Sequence, residues 1–168
     1  MLKMKAKTTD KAKVWRRIEK QFGEMNDLHV VVGVPAGADA RKPKEGEKGE
    51  PATMAEVAFY NEFGTEHIPE RSFLRSTVDA NAGKYAKLYE KLMGAVFEGK
   101  LTVRQAMGLL GEKARADVRK TIRSDVPPPN APATLRRKKS TKTLVDTGQL
   151  SQSITYEVRD GKPGKEET

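Results

Sequence analysis

The sequence predicts an α+β fold in which a small, mainly antiparallel sheet packs against two long helices. Apolar residues recur at steps of three or four through residues 73–97 and 102–124, which is typical of amphipathic helices. Residues 28–34 contain four valines and a leucine, and residues 153–159 alternate apolar with polar side chains, as strands do. The length of 168 residues fits one domain.

The composition excludes several classes of protein. The chain has 32 Lys and Arg against 23 Asp and Glu, a net charge of +9, and no Cys, so it has no disulfides, thiolate zinc site or thiol nucleophile. No apolar stretch approaches the roughly 20 residues of a membrane-spanning helix. The N-terminal residues lack the apolar region of a secretory signal. We therefore expect a protein that folds in a cytoplasm.

The N-terminal segment, residues 1–27, is predicted to be a basic arm and an amphipathic helix. The helix is expected over residues 9–23 and to end at Gly23. Its apolar residues form one stripe: Val14, Trp15, Ile18 and Phe22. Residues 3–20 carry eight basic and two acidic side chains. They form either a solvated helix face or an arm that contacts nucleic acid or an acidic partner.

Residues 28–159 are predicted to form the single α+β domain, followed by a polar tail at 160–168. The nearly continuous apolar run of residues 28–34 predicts a strand buried on both faces. Residues 35–52 are rich in Pro, Gly, Ala and charge, with nothing to bury, so we expect a flexible loop that orders only against a neighbour.

Two capping boxes predict where helices begin. Thr53 and Glu56 open a short helix through Glu62, which Phe63 and Gly64 end. Thr102-Val-Arg-Gln105 opens the second long helix, and Gly99 separates it from the first, which predicts a helical hairpin.

The C-terminal third is predicted to be mostly loop. Residues 126–145 are Pro-rich and then basic, and we expect them to order on assembly. Asp146-Thr-Gly-Gln149 can begin a short helical turn. In the final strand Ile154, Tyr156 and Val158 share one face, which predicts a half-buried strand.

The sequence presents no assembled active site. Gly94-Ala-Val-Phe-Glu-Gly-Lys100 has the spacing of a phosphate-binding loop, but Leu101 stands where that loop needs Ser or Thr. His29 and His67 show no ligand spacing, and no Ser lies in a GxSxG turn. We therefore expect no catalysis, no cofactor and no metal. A small hydrolase in an unfamiliar fold is the third interpretation, and it would require a cleft with perturbed carboxylates.

A basic run near residue 135 is the main candidate for contact with nucleic acid. It contributes five positive charges and no acid: Arg136, Arg137, Lys138, Lys139 and Lys142. Such a run attracts phosphate without sequence preference. It can equally be a solvated loop or face an acidic partner protein. Non-specific nucleic-acid binding is therefore the alternative function.

Two groups of residues form a longer pattern. The first is Asn61-Glu-Phe-Gly-Thr65 followed by Ile68-Pro-Glu-Arg-Ser-Phe-Leu-Arg75. The second is Pro129-Asn-Ala-Pro-Ala-Thr134 followed by Lys142-Thr-Leu-Val-Asp-Thr-Gly-Gln-Leu150 and Ser153-Ile154. Together they resemble the signature of the tail-completion (neck, head–tail joining) proteins of tailed bacteriophages. The resemblance covers roughly residues 28–158, and Ser72 departs from it because the family usually has Pro there.

The resemblance implies a structural virion protein, assembled in the host cytoplasm. It implies a ring of identical copies at the neck, with six as the expected number. The ring would lie between the portal and adaptor proteins of the head and the tail terminator or tail tube, with genomic DNA in its channel. The two long polar loops would suit a subunit that orders on assembly.

The same resemblance marks a set of structural or interface residues. They are Phe63, Gly64, Thr65, Ile68, Pro69, Arg71, Phe73, Leu74, Arg75, Asp146, Thr147, Gly148 and Leu150. Several have purely structural interpretations, as a helix end, a turn, a local cap or core. Arg71 and Arg75 are expected to make charge-assisted hydrogen bonds to carboxylates, within one subunit or between two.

Overall fold

The computed structural model describes residues 11–36, 52–138 and 140–161, and the predicted α+β class is confirmed there. Six helices and two strands follow one another in these ranges. They are α1 (Lys11–Asp27), β1 (Leu28–Gly33), α2 (Met54–Phe63), α3 (Arg75–Phe97), α4 (Val103–Arg123), α5 (Pro132–Arg137), α6 (Gln149–Ser153) and β2 (Thr155–Asp160). None of the described helices combines the length and apolar character needed to cross a membrane.

The two strands pair antiparallel, with Leu28 opposite Asp160 and Gly33 opposite Thr155. The sheet covers α4 with one face, where Val30 and Val158 pack into the core. The expectation that β1 is buried on both faces was wrong, because Val31 is 36% exposed. A two-stranded sheet with helices on one side leaves its other face to solvent.

The long helices form the predicted hairpin around Gly99, which has a φ of +78°. Both capping boxes are confirmed: Thr53 and Thr102 each accept from the backbone amide three residues on. Midway along the hairpin, Tyr85 donates to Asp117 at 3.2 Å. Burial and the nearby Asp117 carboxylate raise the pKa of Tyr85 to about 12.

Two clusters of buried side chains fill the hairpin. The turn-end cluster lies where α3 passes into α4 and contains Leu92, Met93, Val96, Val103, Ala106 and Met107. The open-end cluster lies where α3 begins and α4 ends and contains Phe73, Val118, Ile122, Val126, Leu144, Leu150 and Ile154. The sheet crosses α4 between them, and an added Cβ at Gly111 would lie 2.4 Å from Cδ2 of Tyr156.

Helix α1 continues through Gly23 to Asp27, so the predicted end at Gly23 was wrong. A glycine inside a helix costs about 1 kcal/mol, which tertiary contacts readily offset. Here the turns on either side of Gly23 are held: Gln21 Nε2 donates to the Val96 carbonyl at 3.0 Å, and Met25 packs against the turn-end cluster.

The segment 126–145 differs from the expected flexible loop. It contains α5, and both of its ends are anchored because Val126 and Leu144 belong to the open-end cluster. The Val126 amide donates to Thr143 Oγ1 at 3.0 Å, which joins the two ends. Burial of the apolar side chains at both ends stabilises one conformation of the segment, although the residues between them are mostly polar. Residues 37–51 of the other predicted loop, the arm at 1–10 and the tail beyond 161 lie outside the described residues.

Candidate functional site

The carboxylate of Glu62, at the end of α2, holds the start of α3. Glu62 is 3% exposed. One oxygen accepts from the amides of Phe73 and Leu74 at 2.8 Å each. The other accepts from the Arg75 amide at 2.9 Å and from the Ser72 hydroxyl at 2.9 Å. Because Leu74 gives α3 no side-chain cap of its own, Glu62 supplies the missing acceptor from another helix.

The environment keeps Glu62 ionised. Burial pushes the pKa of this carboxyl upward, but the hydrogen bonds from the Leu74 and Arg75 backbone, the Ser72 hydroxyl and the Arg75 side chain outweigh burial. The pKa of Glu62 therefore lies below its ordinary value. The positive end of the α3 dipole acts in the same direction. Glu62 stood within the first motif with no role predicted for it, and no local pattern indicated one, because the helix start that it holds lies 11 to 13 residues further on.

Arg75 links this carboxylate to the exposed surface. Its Nε lies 3.0 Å from Glu62, and its terminal nitrogen donates to Glu70 at 2.8 Å. The guanidinium stands 4.5 Å from the ring centre of Phe63. The hydrogen bond to Glu62 is the main reason that the pKa of Arg75 is raised. Both carboxylates belong to the same chain.

The turn between α2 and Arg71 requires glycine at its first position. Gly64 has a φ of +76°, and a Cβ there would lie 2.9 Å from the amide nitrogen of Glu70. The Thr65 hydroxyl accepts from the Ile68 amide at 3.0 Å, and the Thr65 amide donates to the Ile68 carbonyl at 2.7 Å. Pro69 follows at the surface. The motif therefore encodes a compact, internally bonded turn.

Arg71 joins the first motif to the second. It is 6% exposed, and its guanidinium donates to the carbonyls of Pro128 at 2.8 Å and Pro129 at 3.2 Å. Its backbone amide donates to the Asn61 carbonyl at 2.7 Å. Burial lowers the pKa of Arg71. The expected carboxylate partner is replaced by two backbone carbonyls, which a buried guanidinium can equally well bond.

Residues of the second motif hydrogen-bond to one another beside the open-end cluster. The Asn130 side chain donates through Nδ2 to the Thr143 carbonyl at 3.3 Å. Gly148 has a φ of +82° and precedes α6, where the predicted helical turn occurs, and the Thr147 hydroxyl lies 3.0 Å from Gln149 Oε1. Leu150 joins Phe73 in the open-end cluster. The two motifs, about 60 residues apart in sequence, thus meet at one end of the hairpin.

An exposed aromatic surface lies beside this junction. We define the α2 face as Phe59, Tyr60 and Phe63. Phe59 is 57% exposed, and its ring centre lies 4.8 Å from that of Phe63 and 6.2 Å from that of Tyr60. Phe63 was among the motif residues predicted at an interface, but the exposure of Phe59 and Tyr60 was not predicted, because a short helix with three aromatic residues resembles a core helix.

The basic run is divided by the structure. Lys138 Nζ donates to the carbonyls of Lys142 and Thr143 at 2.8 Å each, and Lys142 pairs with Asp125 at 2.6 Å. Arg136 and Arg137 lie in the last turn of α5 with exposed side chains. Lys139 lies outside the described residues. Two of the four described cations therefore serve the fold of the segment.

No group of three or more His, Cys, Asp or Glu in the described ranges is arranged to hold a metal ion. His29 Nδ1 lies 2.8 Å from the Gly161 carbonyl, next to the sheet. Comparisons with protein-family models, with curated proteins and with solved structures find no match to this chain.

Proposed function

We propose that this chain is a structural subunit of a tailed-bacteriophage neck, and that it assembles into a ring joining the DNA-filled head to the tail. Its head-side partners would be the portal and adaptor proteins, and its tail-side partners the tail terminator or tail tube. The proposal assigns the chain no catalysis and places it in the virion.

One observation carries the proposal. The two motifs on which the resemblance depends meet through Arg71 and the Pro128 and Pro129 carbonyls. Residues that served only separate local turns would have no reason to bond each other across 57 positions. The two motifs together form one end of the molecule, and an exposed aromatic face lies beside them. This arrangement is typical of a protein that contacts other proteins.

The test is electron microscopy of particles from an infection in which this gene carries a stop codon. We expect full heads beside complete but unattached tails. Purified wild-type protein added to that lysate should then restore joined particles. As a matched control, Arg159→Ala, which removes an exposed arginine paired with Glu157, should restore joining equally well. Normal joined particles from the stop-codon infection would overturn the neck assignment.

Non-specific nucleic-acid binding has narrower support. It would use the basic residues of 3–20 and, in the described part of the basic run, Arg136 and Arg137, since Lys138 and Lys142 are engaged within the chain. Binding through several phosphates would weaken steeply with added salt. The substitution of both arginines by Gln should abolish DNA binding if this interpretation holds. Unchanged DNA affinity in that variant would contradict the nucleic-acid-binding interpretation.

A further inference from the structure

A second exposed apolar surface lies on α1, and its charge is opposite to that around the α2 face. We define the α1 face as Val14, Trp15 and Phe22, which share one stripe of the helix. Trp15 is 63% exposed, and Phe22 stacks on Phe97 at 5.3 Å while remaining largely open to solvent. An exposed tryptophan on a helix is costly to leave in water and is enriched at the centres of interfaces.

The charges that surround the two faces are complementary. Helix α1 carries five basic and three acidic side chains, and all five basic ones with only one acid lie in its first ten residues, around Val14 and Trp15. Residues 54–70, which include α2 and the following turn, carry four Glu and neither Lys nor Arg. Three of these glutamates are exposed: Glu56, Glu66 and Glu70. Glu70 pairs with Arg75, whose guanidinium stands over Phe63, so Glu56 and Glu66 supply the negative charge beside the α2 face. Opposite potentials favour encounter between the two faces and disfavour the contact of either face with itself.

The two faces lie at opposite ends of α3, so one chain cannot bring its own pair together. Helix α1 is attached to the C-terminal end of α3, where Arg17 and Gln21 donate to the carbonyls of Phe97 and Val96. Helix α2 is attached to the N-terminal end of α3 by Glu62. The 23 residues of α3 separate these attachments by roughly 34 Å at 1.5 Å per residue.

We propose that the α1 face of one copy docks on the α2 face of the next, so that identical chains join head to tail. This contact is heterologous: each copy offers two different surfaces, and repetition gives a closed ring or an open filament. The three exposed rings of the α2 face offer on the order of 300 Å² of aromatic surface, which is comparable with the largest apolar patch on a typical monomer, a patch that is often functional. The inference rests on the proposed self-assembling subunit and names its subunit interface.

The test uses two variants of the full chain, each blocking one face. Val14→Ser with Trp15→Ser blocks the α1 face, and Phe59→Ser with Tyr60→Ser blocks the α2 face. Leu109→Ser, which removes an exposed apolar side chain of α4 outside both faces, is the matched control. Circular dichroism confirms that each variant folds, and sedimentation velocity gives the size of each species.

We expect the wild type and Leu109→Ser to form the same assembly, and each blocked variant to sediment as a monomer. An equimolar mixture of the two blocked variants retains one intact α1–α2 contact, so it should form a dimer and nothing larger. Assembly that persists in either blocked variant would overturn the inference. So would a mixture that stays monomeric, since this would indicate a self-complementary interface.

A wild type that stays monomeric would also overturn the inference, because the two faces would then serve other partners. Failure of the proposed function has a separate signature. If stop-codon particles join normally while the purified chain still assembles through these faces, the neck role is lost and the interface remains. If joining fails in the infection but the blocked variants still assemble, the interface is lost and the neck role remains.

Discussion

The two ends of the α3–α4 hairpin are stabilised in different ways. At the open end, charged side chains hold irregular segments in addition to the apolar packing of the open-end cluster: Glu62 accepts from three backbone amides, and Arg71 donates to two backbone carbonyls. At the turn end, regular helices and strands meet through apolar side chains of the turn-end cluster. A segment without repeating backbone hydrogen bonds must find its partners elsewhere, and buried ionised groups are the strongest partners available.

Removal of the Glu62 carboxylate tests most directly whether a charged side chain stabilises the open end. Glu62→Ala leaves the amides at the start of α3 without an acceptor and Arg75 without its buried partner. We expect a loss of about 3–5 kcal/mol in the free energy of unfolding, measured by urea denaturation. Glu66→Ala, at an exposed position of the following turn, is the control and should change stability by less than about 0.5 kcal/mol. Equal effects at the two positions would refute the capping role.

The packing of the sheet on α4 gives the second test. In Gly111→Ala the new methyl group would overlap the Tyr156 ring, and we expect a loss of about 1–3 kcal/mol in unfolding free energy. At Gly108 the nearest atom to an added Cβ is the Tyr156 hydroxyl at 3.9 Å. Gly108→Ala should therefore gain up to about 1 kcal/mol from helix propensity. The two Gly→Ala substitutions lie one helical turn apart, and they should change the melting temperature in opposite directions in thermal denaturation.

Acid should weaken the open end through Glu62. Because the pKa of Glu62 is lowered in the folded state, its contribution to stability is fully present above the ordinary value of 4.5 and is lost as the pH falls through the folded pKa. The difference in unfolding free energy between wild type and Glu62→Gln should be constant at neutral pH and shrink below 4.5. Titratable groups shared by both proteins cancel in this difference. A gap that widened in acid would contradict the assignment.

The smallest expected effect is at the turn end. Gln21→Ala removes one buried hydrogen bond to the Val96 carbonyl, and we expect a loss of about 1 kcal/mol. Exchange of the amide hydrogens of α1 should quicken more than that of α4. Lys20→Ala, which removes an exposed pair with Glu24 on the same helix, should leave both rates nearly unchanged.

The regular elements could be predicted from the sequence because their signals are local. A capping box of four residues determined where α2 and α4 begin, and the spacing of apolar residues determined the hairpin. The end of α1 could not be predicted, since Gly23 is overridden by contacts of Gln21 with a residue 75 positions away. The same holds for residues 126–145, whose fixed shape depends on Val126 and Leu144 reaching a core built by other segments.

The candidate site could be predicted in part. The motif residues Phe73, Leu74 and Leu150 were assigned as core or interface, and Phe73 and Leu150 are buried. The carboxylate partners of Arg75 are present within the chain, whereas Arg71 bonds carbonyls that no local pattern indicated. Glu62 was overlooked because its role depends on a helix start 11 to 13 residues further on. Long-range pairing is the part of a site that a sequence pattern describes least.

The pairing of β1 with β2 has a consequence for the order of events during synthesis. Leu28 lies opposite Asp160, so the sheet joins a strand made before α2, α3 and α4 with a strand made after them. The contacts of Glu62 with residues 72–75 close a loop of little more than ten residues, which is entropically cheap. The α2–α3 junction can therefore form before β2 has been synthesised, whereas the sheet must wait for β2. Nascent chains released early would carry the finished junction and an unpaired β1 edge.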